Sequence, residues 1–189
     1  MARVSIAKKA GAAVPVGKNK NVILIRVDDI DHDVSGSPIG FPTRNGALAV
    51  GNIALKAGAK ALAIYCTPMT INRFDTSDGE GDARKITSNF TGEHPGDHED
   101  INTLLQDYLN EDLIIISREC SDSTGTRIQG TPCNPMKMQF EGVDNNESKK
   151  KTLTFAQDMG DKFVMLHYNG TIPTLEDYAV DASSEDSGI

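Results

Sequence analysis

Two acidic clusters are the first places where this sequence could do chemistry. Asp29, Asp31 and Asp33 occupy alternate positions, with Asp28 and His32 beside them. Alternating carboxylates open a calcium loop, but such a loop also needs glycine at its sixth position and glutamate at its twelfth. Counted from Asp29, those positions hold Val34 and Gly40. The run is therefore expected to be a solvated strand end. The second cluster gathers His94, Asp97, His98, Glu99 and Asp100. Imidazoles four residues apart can share a divalent metal when a helix stacks them. Pro95 and Gly96 stand between these two, so a regular helical face is not expected. The carboxylates read instead as the acidic first turn of a helix, with Asp97 as its N-cap.

The remaining candidates are weaker. Gly46 and Gly51 have the spacing of a phosphate loop, but Asn52 and Ile53 follow where Lys and a hydroxyl residue are required. His167 lies between Leu166 and Tyr168 on an expected strand and reads as structural. Cys66, Cys120 and Cys133 are odd in number and widely spaced, which gives neither a disulfide framework nor a zinc pattern. They are expected to be reduced thiols, and neither Cys120 nor Cys133 has an identifiable base. Lys149, Lys150 and Lys151 follow an acidic turn and read as solvated gatekeepers of an edge rather than phosphate ligands. No catalytic, cofactor-binding or metal-binding residue is assigned, and the expectation is a non-enzymatic protein without a cofactor.

The elements that would position these residues are mostly strands. Residues 22–27 are a largely apolar, β-branched run and residues 113–116 a continuous apolar one, as in strands buried on both faces. Residues 61–66 form a third such run. Strict alternation marks residues 85–90, 136–141 and 152–155, and residues 163–168 close the set. Residues 144–148 form a polar hairpin tip. One helix is expected at about 97–110, because Ile101, Leu104, Leu105, Tyr108 and Leu109 make a helical stripe. Residues 45–59 read as weakly helical or irregular, and residues 67–82 as one long acidic loop.

Charge divides the chain. Up to Val27 every ionisable side chain is basic, whereas the last fourteen residues carry only acidic ones. These ends read as a basic arm at 1–20 and an acidic arm at 172–189, on a core at 21–171. The formal net charge of −8 disfavours a general nucleic-acid binder. No apolar window is long enough for a membrane helix, and no secretory leader is expected. The fold class is mainly β (α+β): a β-sandwich or small barrel with one flanking amphipathic helix and extended terminal arms.

Three segments carry a likeness to known proteins: residues 92–96 before the helix, residues 130–135 before an alternating strand, and residues 151–155 after the hairpin. With the order strand, helix, buried strand and hairpin-rich C-terminal half, the chain resembles virion structural proteins of tailed bacteriophages, most of all tail tube proteins. That resemblance implies self-association into stacked, hexameric rings, contact with other virion tail proteins, and passage of DNA without specific binding. It also implies residence in the virion after synthesis in the host cytoplasm. It carries no functional residue across. Two alternatives stand beside it. One is a head–tail connector, neck or capsid-associated virion protein. The other is a soluble β-sandwich module that binds a small ligand. An enzyme reading would need a metal at residues 28–33 or 94–100.

Overall fold

The computed structural model describes residues 15–120 and 125–177. Within them lie β1 (Asn21–Arg26), β2 (Thr43–Asn45), β3 (Leu48–Val50), β4 (Leu62–Tyr65), β5 (Asn72–Asp78) and β6 (Lys85–Pro95). Then come α1 (Glu99–Tyr108), β7 (Leu113–Ser117), β8 (Arg127–Gln129), β9 (Met136–Asp144), β10 (Lys149–Gln157) and β11 (Leu166–Tyr168). The fold is mainly β with one flanking helix, as the periodicity led us to expect.

All eleven strands join one hydrogen-bonded sheet. Its middle is β7, which pairs antiparallel with β1 on one edge. On the other edge β7 forks. Its C-terminal half pairs with β8 and its first residue with β9. Gly130 lies just beyond β8 at a φ of 84°, and a Cβ there would sit 2.9 Å from the Leu113 carbonyl oxygen. Only glycine suits that close approach of backbones. One wing runs from β8 through β11 and β3 to β2. The other runs from β9 through β10 and β6 to β5.

The fork explains why β1 and β7 are apolar without alternation. Val22 and Leu24 share one core with Leu113 and Ile115, whereas Ile23 and Ile25 share a second with Ile114 and Ile116. Both faces of these strands are therefore sealed. At ~1.5–3 kcal/mol for each fully buried aliphatic side chain, they are the thermodynamic centre of the fold. The first core adds Phe90, Phe155, Leu153 and Met138 from the long hairpin wing, closed over by Ile101 and Leu105 of α1. The second adds Ile30, Ile53, Ile128, Leu166 and Tyr168. The Thr67 amide donates to the Glu93 carbonyl at 2.8 Å, so the end of β4 meets β6 and the first core is wrapped towards a small barrel.

Several expectations need correction. Residues 45–59 are not helical: β2 and β3 form a hairpin turned at Gly46, whose φ is 64°, and residues 51–59 are irregular, the other reading given for this segment. The expected long loop contains β5, paired along its whole length with β6. Only the last three residues of the expected strand at 163–168 are extended, and Phe163 packs under the Arg44 guanidinium, 3.1 Å from the ring centroid. Helix α1 is shorter than 97–110, and Leu109 sits beyond it, exposed. Its N-cap is His98, without a side-chain bond, rather than Asp97. The Asp97 carboxylate instead accepts from the Asn102 amide at 2.6 Å and pairs with Lys151 at 3.2 Å.

The parts of the two arms that are described lie on the core. The Asn19 amide donates to the Arg118 carbonyl. The Glu176 amide donates to the Ala61 carbonyl, and Lys60 pairs with Glu176. The rest of both expected arms, residues 1–14 and 178–189, lies outside the described residues.

Candidate functional site

The acids at residues 28–33 do not converge. Asp29 pairs with Arg26 at 2.9 Å, and Asp28 sits in the short 3-10 turn Val27–Asp29. His32 Nδ1 donates to the Ile30 carbonyl. Asp33 folds its own loop: its Oδ1 accepts from the Ser35 amide at 2.9 Å, the Ser35 hydroxyl at 2.7 Å and the Ser37 amide at 2.8 Å. Those bonds hold the Asp33 carboxyl below the usual carboxylate range, the Ser35 hydroxyl most of all. The loop is pinned at its base by a cycle of three backbone bonds: the Gly40 amide donates to Asp31, the Asp31 amide to Ala54 and the Ala54 amide to Gly40. Its tip presents Val34 fully exposed, with Ile39 also exposed.

The three lysines are occupied within the chain. Lys149 pairs with Asp144, Lys150 with Glu93 at 2.6 Å, and Lys151 with Asp97. They therefore carry little free positive charge for a phosphate. His167 is exposed, and Arg127 donates to its Nδ1 at 2.6 Å, which fixes the imidazole proton on Nε2. Cys66 is fully buried, and burial pushes its thiol up to about 12, so it is no nucleophile. Cys120 is exposed and donates to the Lys18 carbonyl at 2.9 Å, while Cys133 is exposed on the turn before β9.

His94 and His98 do come together. The turn at Gly96, with a φ of 93°, folds the end of β6 back against the start of α1. The two Nε2 atoms stand 3.3 Å apart, and His94 Nδ1 donates to the Tyr65 carbonyl at 2.8 Å. Burial pushes the His94 pKa down. The proline and glycine that argue against a shared helical face are what build this corner.

A charged cluster that the sequence analysis did not single out lies near the start of β5. Glu119 Oε1 accepts from Arg73 at 2.6 Å and from Lys18 at 3.2 Å. The Arg73 side chain is only 7% exposed and also donates to the Ser117 carbonyl. This anchors both the basic N-terminal segment and β5 to β7. The available signal was the alternating run at residues 85–90, which needed a partner strand, together with Gly79 and Gly81 marking a tight turn before it.

The surface best suited to a function is a set of open strand edges. The nine-strand path ends at β2 on one side and β5 on the other. Among the described residues, nothing pairs with the outer edge of either. The outer edge of β9 is also open beyond Met136, because β7 pairs with it only at Leu113. The exposed ring of Phe140 lies along this stretch. A cavity of about 990 Å³ lies beside the β8–β11 wing and is lined by Asn45, Arg118, Glu119 and His167. Among the described residues no group of three His, Cys, Asp or Glu side chains could hold one metal ion. No described helix is long and apolar enough to cross a membrane. No family model matches the chain, and no curated protein or solved structure resembles it significantly.

Proposed function

We propose that this chain is a non-enzymatic structural subunit that assembles with copies of itself, and specifically a tail tube subunit of a tailed bacteriophage. The observation that carries the reading is the sheet open at both ends. Monomeric β proteins blunt their edges with short strands, prolines or bulges, because a free edge is a template for another chain. Strand β5 offers seven residues without a proline. Two different open edges on one sheet favour head-to-tail pairing, and such a contact generates a ring when its rotation closes. The β5 edge of one copy would continue the sheet of its neighbour by strand addition.

Two further features suit stacked rings. The braced loop with Val34 at its tip is an apolar point on a rigid stalk, fitted to a hollow on the next ring. The acidic turn with Asp78, Glu80 and Asp82, and the net charge of −8, fit a channel along which DNA slides without adhering. A connector, neck or capsid-associated role uses the same edges. The large cavity would serve the alternative of a ligand-binding module.

The test is a double lysine substitution on the β5 edge, Thr76→Lys with Ser77→Lys, both at exposed positions. The reading expects a particle that sediments as a monomer where the parent sediments as a ring. It also expects a melting temperature within a few degrees, since exposed substitutions cost within about 0.5 kcal/mol. Assembly of the variant identical to the parent's removes β5 from the interface and with it the basis of the proposal.

A further inference from the structure

We propose that His94 and His98 form a binding site for one borderline divalent cation of the zinc class. The side chains meet through their Nε2 atoms at 3.3 Å. Tetrahedral zinc with Zn–N bonds of ~2.0–2.1 Å requires neighbouring nitrogens about 3.3–3.4 Å apart. The pair therefore already has the bite of a tetrahedral edge.

The hydrogen bonds around the rings say which atoms face the cation. The Tyr65 carbonyl can only accept, so His94 Nδ1 carries the proton and its Nε2 carries a lone pair. Without a cation, His98 must then donate from its own Nε2. His98 Nδ1 lies on the far side of its ring, 3.9 Å from Asp100 Oδ2. A cation between the two Nε2 atoms would take the place of the hydrogen bond they share. Both Nε2 lone pairs bind it, and His98 Nδ1–H turns to the Asp100 carboxylate. His94 then has the Tyr65 carbonyl behind it at 2.8 Å, the kind of contact that orients metal-bound histidines, and the Asp100 carboxylate lies near His98.

The surroundings favour positive charge independently of the rings. The corner opens into a groove of about 580 Å³ between α1 and β4, whose lining includes Glu99, Asp100, Asp107, Glu176 and Asp177. Among the described residues no third side chain completes a ligand set. The protein supplies two nitrogens and water fills the other positions, so the site is open. A hard cation such as Mg²⁺ prefers oxygen ligands and is not expected to use it.

The test is calorimetric titration of the full chain with Zn²⁺ at pH 7.5, with Mg²⁺ as control. The expected result is one Zn²⁺ per chain, with affinity at least tenfold weaker in His98→Gln and in His94→Gln. His98 is over half exposed, so its variant should fold normally. The exposed thiols are controlled by Cys120→Ser with Cys133→Ser, which should bind as the parent does. Undiminished binding by His98→Gln, loss of binding in the cysteine variant, or no Zn²⁺ uptake by the parent would each overturn the proposal.

Discussion

Cys66 and Gly92 make the sharpest prediction, because they sit where β4 meets β6. A Cβ built on Gly92 would lie 3.1 Å from Cys66 Sγ and 3.3 Å from Cys66 Cβ. Comfortable carbon contacts lie near ~3.5–4.0 Å, so the shortfall is about half an ångström. Cys66 is fully buried, and Gly92 pairs with Leu153, which is also fully buried. Neither side can move away cheaply. Overpacking of this kind costs about 1–3 kcal/mol. Gly92 is not in the left-handed region, so alanine recovers about 0.4–1 kcal/mol by restricting the unfolded chain. The net expectation for Gly92→Ala is a loss centred on about 1.3 kcal/mol and reaching about 2.6 kcal/mol, a fall in Tm of about 3–5 °C at the centre and up to about 10 °C at this chain length. Cys66→Ala empties a space somewhat larger than one methylene and should cost about 1–2 kcal/mol. The double variant should be more stable than the sum, since the new methyl occupies the space that the sulfur leaves. Urea unfolding of the four proteins gives the coupling, expected at about 1–2 kcal/mol. Additivity within about 0.3 kcal/mol would refute the packing of β4 against β6.

Three other outcomes follow from the same geometry. Burial raises the Cys66 thiol from an ordinary value near 9 to about 12, so the folded state holds the proton that the unfolded chain releases. Stability should therefore fall above pH 9, by up to about 1.4 kcal/mol per pH unit relative to Cys66→Ala, in denaturation curves taken at pH 8–11. Glu119→Gln leaves the nearly buried Arg73 without its counter-charge and should cost about 2–4 kcal/mol, whereas Lys18→Gln, at a more exposed pair, should cost under about 1 kcal/mol; thermal melts of the two variants distinguish them. His94 is depressed chiefly by burial, so its contribution is present above its ordinary pKa of 6.5 and is lost as the pH falls below it. With chelator present, His94→Gln should flatten the acid limb of the stability curve below pH 6.5.

What the sequence disclosed followed from burial. Residues 22–25 and 113–116 had to be central strands because nothing in them tolerates water. The alternation at 136–141 and 152–155 placed Met138 and Phe155 in the core and Lys137 outside. Ile101 and Leu105 gave away α1. Strand β5 was hidden because an edge strand carries little apolar content: Arg73 and Asp75 face polar partners that are distant in sequence. Strands β2, β3, β8 and β11 have three residues each, too few for a period to register. The helix cap went to His98 rather than Asp97 because Lys151, over fifty residues later, holds the Asp97 carboxylate. The His94–His98 corner was discounted on the assumption that only a helix brings such a pair together, whereas a glycine turn does so here. The open edges, which carry the functional proposal, are a property of topology and have no residue signature.

The central claim is self-assembly, and negative-stain electron microscopy of the purified chain over a concentration series tests it most directly. The account predicts rings of uniform diameter with a central channel, stacking into tubes as concentration rises. Uniform single subunits at every concentration would contradict it.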